Sequence, residues 1–169
     1  IKGSNLTTIL DTYYPDKSLQ KIIIDILDEF EKEMKYRPFQ DAIEFVDKLN
    51  ANNIPACIVT SSSMLKMNNA FEQLPGFKEK FNGLVTGDMV KNCKPDPEGY
   101  LLGAEMIGIK PENCIVFEDS LQGIQAGLNA GSKVVALTTT VSRDKIEKLK
   151  ANKIIDNFAG LEIDDIIAL

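Results

Sequence analysis

The sequence contains no histidine. That absence removes the general base of Ser-His-Asp and Cys-His relays and every histidine-ligated zinc site. Cysteine is scarce: Cys57, Cys93 and Cys114 form no CxxC pair, and Cys57 and Cys114 fall in strand-like apolar runs. Such usage fits a reducing compartment better than a disulfide scaffold and predicts a cytoplasmic protein. Excess positive charge is missing too, since 19 Lys and Arg against 25 Asp and Glu leave a net charge of −6. An acidic chain of this kind is expected to have no nucleic-acid partner and to favour a small ligand. No apolar run approaches the roughly 20 residues of a membrane-spanning helix, so no membrane partner is expected. The chain also lacks an initiator methionine and starts on Ile1. A trimmed, processed or partial chain is expected, with a piece of the working protein upstream.

What is present fills a core. Hydrophobic residues make up 44% of 169 positions, enough for one ordinary domain or one domain with a small appendage. After a loop and short helix over residues 1–17, Leu19, Ile22, Ile23, Ile26, Leu27, Phe30 and Met34 recur at helical steps. This predicts an amphipathic helix, capped by Asp16 or Ser18, whose apolar stripe needs a helical partner. Pro38 breaks it, and a second helix follows with Phe39, Ala42, Ile43, Val46 and Leu49 on one face. From there strands at 54–60, 84–86, 114–118, 133–137 and 153–155 alternate with helices at 64–74, 98–107, the small-residue segment that runs through Gly123 to Gly131, and 142–150, and a surface helix closes the chain over 161–169. Alternation of this kind predicts an α/β class with a parallel sheet and helices on both faces.

Three stretches carry chemistry. The run Cys114-Ile115-Val116-Phe117 reads as a buried strand ending in Glu118 and Asp119. Open α/β sheets place ligands at the carboxyl ends of their strands, and oxygen ligands there suit Mg²⁺, which takes one or two carboxylates plus substrate phosphate. The alternative is that Asp119-Ser120 merely caps the next helix. Thr60-Ser61-Ser62-Ser63 ends the strand at 54–60 and offers hydroxyls and amides to a phosphate, or else a Ser-rich cap for the helix at 64. Asn92-Cys93-Lys94-Pro95-Asp96-Pro97 fixes a lysine between prolines, suited to neutralising a phosphate, with a solvated lysine as the alternative.

In this order, hydroxyls, then lysine, then acidic pair, the chain resembles the haloacid dehalogenase-like hydrolases, in their β-phosphoglucomutase-like phosphatase branch. Val59-Thr60-Ser61 is similar to the family's second motif, Lys94-Pro95-Asp96-Pro97-Glu98 to its third, and Phe117-Glu118-Asp119-Ser120 with Gly123-Ile124 and Ala126-Gly127 to its fourth. The resemblance implies a Rossmann-like core over residues 36–169 and a partial helical cap over residues 1–35, hinged near Tyr36 to Phe39. It implies hydrolysis of a small phosphorylated metabolite, a sugar or polyol phosphate, through an aspartyl phosphate. Thr60, Lys94 and Asp119 would be catalytic. Thr60, Ser61, Ser62 and Lys94 would bind the phosphoryl group, Lys2 and Gly3 would contact substrate, and Glu118 and Asp119 would hold Mg²⁺.

The chain departs from the family in one respect. Members carry a DxDx[TV] motif, with the nucleophilic aspartate, on a central first strand upstream of the cap, and no such strand occurs here. The strands at 54–60 and 114–118 are then expected to flank an unpaired slot, filled by a longer native chain or by an associated segment. Lys2-Gly3 resembles the mutase cap loop, but the arginine that grips a second phosphate in the mutase aligns with Leu6, which favours hydrolysis. β-Phosphoglucomutase activity is the alternative, and an inactive fragment or binding module the second alternative. A phosphate-receiving signalling domain would place its acidic pair first and its lysine last, the opposite of the order here.

Overall fold

The computed structural model describes residues 6–169. Helix α1 (Leu6–Tyr13) leads into α2 (Lys17–Glu33), and of the two candidate caps it is Asp16 that closes α2, its carboxylate accepting from the amides of Ser18 and Leu19. Helix α3 (Gln40–Ala51) follows the Pro38 break and ends at Asn52, with Asn53 at φ 55° turning the chain toward the first strand. The remaining elements alternate: β1 (Cys57–Val59), α4 (Met64–Gln73), β2 (Gly83–Val85), α5 (Glu98–Met106), β3 (Ile115–Glu118), α6 (Leu121–Asn129), β4 (Lys133–Leu137), α7 (Arg143–Ile146), β5 (Lys153–Ile155) and α8 (Asp164–Ile167). The fold is α/β with parallel strands, as the alternation of patterns predicts.

Two elements are shorter than their sequence pattern. The run from Ile54 contributes only Cys57–Val59 to the ladder, because the Ile54 N–H caps α3 at Leu49 O and the Ala56 N–H goes to the Asn82 side chain. The closing helix spans only Asp164–Ile167 of the predicted 161–169, since Leu161 turns inward to the core while Ile166 packs beside it.

Among the described residues the strands form two separate parallel sheets, β1–β2 and β3–β4–β5. The Thr60 N–H donates to Val85 O, so residues 58 and 60 pair toward β2 while the backbone groups of Cys57 and Val59 point to the other edge. The Lys133 N–H donates to Cys114 O, which likewise turns Ile115 and Phe117 to the unpaired edge of β3. Parallel sheets normally have both faces covered, and β3–β4–β5 does. On one face Phe45 and Leu49 of α3 pack with Val135, Phe117 and Ile115, and the Phe45 and Phe117 rings meet edge-on at 5.5 Å. On the other, Ile124 and Ile146 pack with Val116, Val134 and Ala136. Gly103 lets α5 approach Val59 and Val85, and a Cβ there would lie 2.8 Å from a Val59 methyl.

The apolar stripe of α2 does not find the helical partner its periodicity calls for among the described residues. Ile22, Ile26 and Phe30 are 55%, 62% and 62% exposed. The other side of the helix faces α4, where the Lys66 ammonium meets Glu31 at 3.0 Å, and Gln73 of α4 holds the connection beyond it, donating to Met34 O and accepting from the Tyr36 N–H. No described helix is long and apolar enough to cross a membrane.

Candidate active site

The carboxyl ends of β1 and β3 are joined by one ammonium. Lys94 Nζ donates to Val59 O at 3.3 Å, to the Tyr100 hydroxyl at 3.0 Å and to Glu118 Oε1 at 2.8 Å. An ammonium has three protons, and all three are engaged. The nitrogen also lies 4.7 Å from the centre of the Tyr100 ring, close enough for a cation–π contribution. The side chains of Lys94 and Glu118 are each only 11% exposed, so this is a largely dry ion pair.

The loop carrying Lys94 is held from several sides. The Glu98 carboxylate accepts from the amides of Lys91 and Asn92 at 2.9 and 2.8 Å, which holds it below the usual carboxylate range. Asp96 accepts from the Glu98 amide and so closes the first turn of α5, while Asn129 of α6 donates to Pro95 O at 2.9 Å. The prolines alone suggest a rigid loop; the carboxylates and Asn129 supply its anchors.

Glu118 is equally committed. Its second oxygen accepts from the amides of Asp119 and Ser120, both at 2.8 Å, and from the Ser120 hydroxyl at 3.0 Å. Burial alone would raise this carboxyl, but the Lys94 charge and the hydrogen bonds from Lys94 and Ser120 outweigh it and hold the group below the ordinary carboxylate range. Burial, and then the charge of Glu118, push the Tyr100 hydroxyl far above its ordinary value, so it stays protonated. The carboxylate fits only because Gly123 has no side chain: a Cβ there would lie 2.0 Å from the Glu118 carboxyl carbon. Gly123→Ala is therefore expected to force Glu118 off its donors and to cost on the order of 3 kcal/mol, each bond to a charged group contributing about 1.5–3 kcal/mol. Thermal melting beside Gly131→Ala, which meets no atom within 4 Å but is strained at φ 79°, separates the clash from ordinary glycine effects.

Asp119 is arranged differently. Ser120, not Asp119, is the N-cap of α6, its hydroxyl accepting from the Gly123 amide at 3.0 Å. This leaves the Asp119 carboxylate facing a cleft of about 240 Å³ lined by Phe117, Phe158, Leu137 and Thr139. There it accepts from the hydroxyls of Thr140 and Thr139 in the loop after β4, the latter at 3.3 Å. Among the described residues no group of three Asp, Glu, Cys or His side chains converges as a metal cage. A lone carboxylate beside hydroxyls fits a cation that keeps its waters and takes its other ligands from elsewhere, as Mg²⁺ does.

On the β1 side, Thr60, Ser61 and Lys94 line one recess together with Gly87. The Thr60 hydroxyl accepts from the Ser62 amide at 3.1 Å, which leaves its own proton directed elsewhere. Ser62 is turned into structure, its amide on Thr60 and its carbonyl on the Gly87 amide, so it does not join the recess as the sequence suggests. Lys2 and Gly3 lie outside the described residues. The structure thus brings Thr60, Ser61, Lys94 and Glu118 into one connected group, with Asp119 adjoining through the strand end.

A family model for haloacid dehalogenase-like hydrolases matches residues 6–131. The chain belongs to this family. Among curated proteins, it is 37% identical over 110 residues to hexitol phosphatase A of Escherichia coli, covering 64% of this chain and 49% of that protein. It is likewise 37% identical over 103 residues to a phosphorylated carbohydrates phosphatase of Thermotoga maritima, covering 60% of this chain and 46% of the relative. The chain therefore spans about half the length of these two relatives. A solved β-phosphoglucomutase from Clostridium difficile shares the fold, with a TM-score of 0.77 at 23% identity over 96% of this chain and 75% of that one.

At this site the sequence marks Glu98 only as a motif member and assigns no role to Tyr100, Asn129 or the Thr139–Thr140 pair. A hydroxyl run directly after a predicted strand, Thr138-Thr139-Thr140, was the one available signal.

Proposed function

We propose that the protein is a Mg²⁺-dependent phosphatase of a small phosphorylated metabolite, a sugar or polyol phosphate, working through an aspartyl phosphate. In this reading the nucleophilic aspartate arrives on a strand, outside these 169 residues, that inserts between β1 and β3 and makes one sheet of two. Residues 1–35 are then part of a helical cap and residues 36–169 the core. The observation that carries the reading is the Lys94 ammonium bridging the two strand ends, with the hydroxyl loop on one side and the Asp119 carboxylate on the other. The phosphatase names of the two 37% identical relatives support the choice of chemistry and substrate class.

The chain's own residues divide the work. Thr60 donates its hydroxyl proton, and Ser61 its amide, to the phosphoryl oxygens. Lys94 neutralises the transferring group, and because its three donors are all engaged, a phosphoryl oxygen displaces its longest partner, Val59 O. Glu118 holds Lys94 in place; with both oxygens already bonded it acts on the cation through ordered water rather than as a free ligand. Asp119 binds the cation, oriented by Thr139 and Thr140. Mg²⁺ when bound supplies electrostatic stabilisation of the charge on the phosphoryl oxygens.

The test is phosphate release from a panel of hexitol and sugar monophosphates, by this chain with and without the complementing DxDx[TV] strand, in Mg²⁺ and in chelator. Release that needs both the strand and Mg²⁺ is expected. Isomerisation of hexose 1-phosphate without release would replace hydrolysis by the mutase reaction, and no turnover of any ester by the completed protein would contradict the proposal.

A further inference from the structure

The recess that holds Thr60 and Ser61 is backed by a turn that contains Gly87. After β2 the chain makes a short 3₁₀ turn over Gly87–Met89. Gly87 packs directly on the hydroxyl loop: its N–H donates to Ser62 O at 2.9 Å, and a Cβ on it would lie 2.6 Å from Ser61 O and 3.1 Å from the Ser61 carbonyl carbon. Both atoms belong to backbone, so nothing can rotate away; a side chain at position 87 must displace the peptide group after Ser61. The next residue clasps the same loop from outside. Asp88 Oδ2 accepts from the Met64 N–H, the first amide of α4, at 2.6 Å, while Ser63 takes the Lys66 amide of that turn. The Met64 and Lys66 amides of α4 are thus already supplied with acceptors, and an anion in the recess meets Thr60, Ser61 and Lys94, which line it, rather than these helix amides.

From these contacts we propose that Gly87 and Asp88 are positioning residues that fix the Ser61–Ser62 peptide and, through it, the orientation of the Ser61 residue whose N–H the phosphoryl group takes. Gly87 does so by close approach and Asp88 by holding the start of α4. The inference rests on the phosphoryl-binding reading of Thr60 and Ser61, and neither residue touches substrate in it. Because Gly87 has an ordinary φ, its need is for space and not for backbone freedom.

The experiment compares the parent protein with Gly87→Ala, Asp88→Ala and Asp88→Asn by amide NMR, with inorganic phosphate as probe. In phosphate-free spectra, Gly87→Ala is expected to move the Ser61 and Ser62 amide resonances while distant residues of β3–β5 stay fixed. Asp88→Ala is expected to speed hydrogen exchange at Met64 and shift Ser61, and Asp88→Asn, which keeps an acceptor oxygen, to restore both. On phosphate titration, dissociation constants at least about tenfold weaker are expected for Gly87→Ala, a factor equal to about 1.4 kcal/mol. Unmoved Ser61 resonances in Gly87→Ala, or Asp88→Asn behaving like Asp88→Ala, would overturn the proposal. A parent protein whose Thr60 and Ser61 resonances ignore phosphate would overturn the phosphoryl-binding reading instead, and the phosphate-free spectra would still decide whether the turn positions the loop.

Discussion

Replacing Asp119 by alanine is expected to reduce Mg²⁺-dependent phosphate release by at least about 10³-fold while leaving the protein folded. The size follows from the role. Electrostatic stabilisation by a bound cation contributes several kcal/mol to a phosphoryl-transfer barrier, and each 1.36 kcal/mol is about a factor of ten in rate. The fold should tolerate the change because the carboxylate faces a cleft and its partners are exposed threonine hydroxyls, contacts that contribute about 1 kcal/mol or less. Two measurements check it in the protein supplied with the proposed DxDx[TV] strand: initial rates across a Mg²⁺ series, and a calorimetric Mg²⁺ titration. Asp119→Ala should lose both turnover and cation binding. Turnover within a few fold of the parent would remove Asp119 from the site.

Replacing Lys94 by methionine is expected to cost both catalysis and stability, and the stability loss has a distinctive pH signature. The pair is largely buried, and removing one partner of a buried ion pair typically costs about 3–5 kcal/mol because the other charge is left uncompensated. In the parent, Glu118 sits below its unfolded value, so its contribution is fully present above about pH 4.3 and is lost as the pH falls through the lower, folded value. Without Lys94, burial becomes the dominant influence and raises the carboxyl above its unfolded value. The sign then reverses: the variant keeps its stability at low pH and loses it as the pH rises through the raised value. Denaturant melts at pH 7 and pH 3.5 should show a wide gap between the two proteins at neutrality and a narrow one in acid. Adding Glu118→Gln to Lys94→Met should recover part of the loss at pH 7. A gap that does not change with pH would contradict the ion pair as the cause.

The architecture was largely legible in the sequence, and the reasons are local. Asp16, Ser63 and Ser120 each announce a helix start through a short polar side chain, and each caps the helix that follows it. Alternating apolar runs and helical periodicities give the parallel α/β class, and Gly108 at φ 68° closes α5 where the pattern stops. The candidate site was legible only in its motif residues. Tyr100 reaches Lys94 from the next helix, Asp88 reaches Met64 across 24 residues, and Thr139 and Thr140 reach Asp119 across 20 and 21. No periodicity encodes such meetings, since they follow from the packing of the strand ends. Ser62 shows the converse. It reads as one more phosphate donor in a run of serines, and the backbone spends its amide on Thr60 and its carbonyl on Gly87. The stripe on α2 shows a further limit, since periodicity calls for an apolar face without saying what covers it.

The most direct measurement of the central claim is a crystal structure of the protein supplied with the proposed DxDx[TV] strand, with Mg²⁺ and a tetrahedral phosphate mimic bound. The account predicts a single sheet with the added strand between β1 and β3. It places the anion against the Thr60 hydroxyl, the Ser61 amide and Lys94 Nζ, and the cation on Asp119 Oδ. A filled sheet with anion or cation bound elsewhere, or a strand that adds outside the β1–β3 slot, would contradict it.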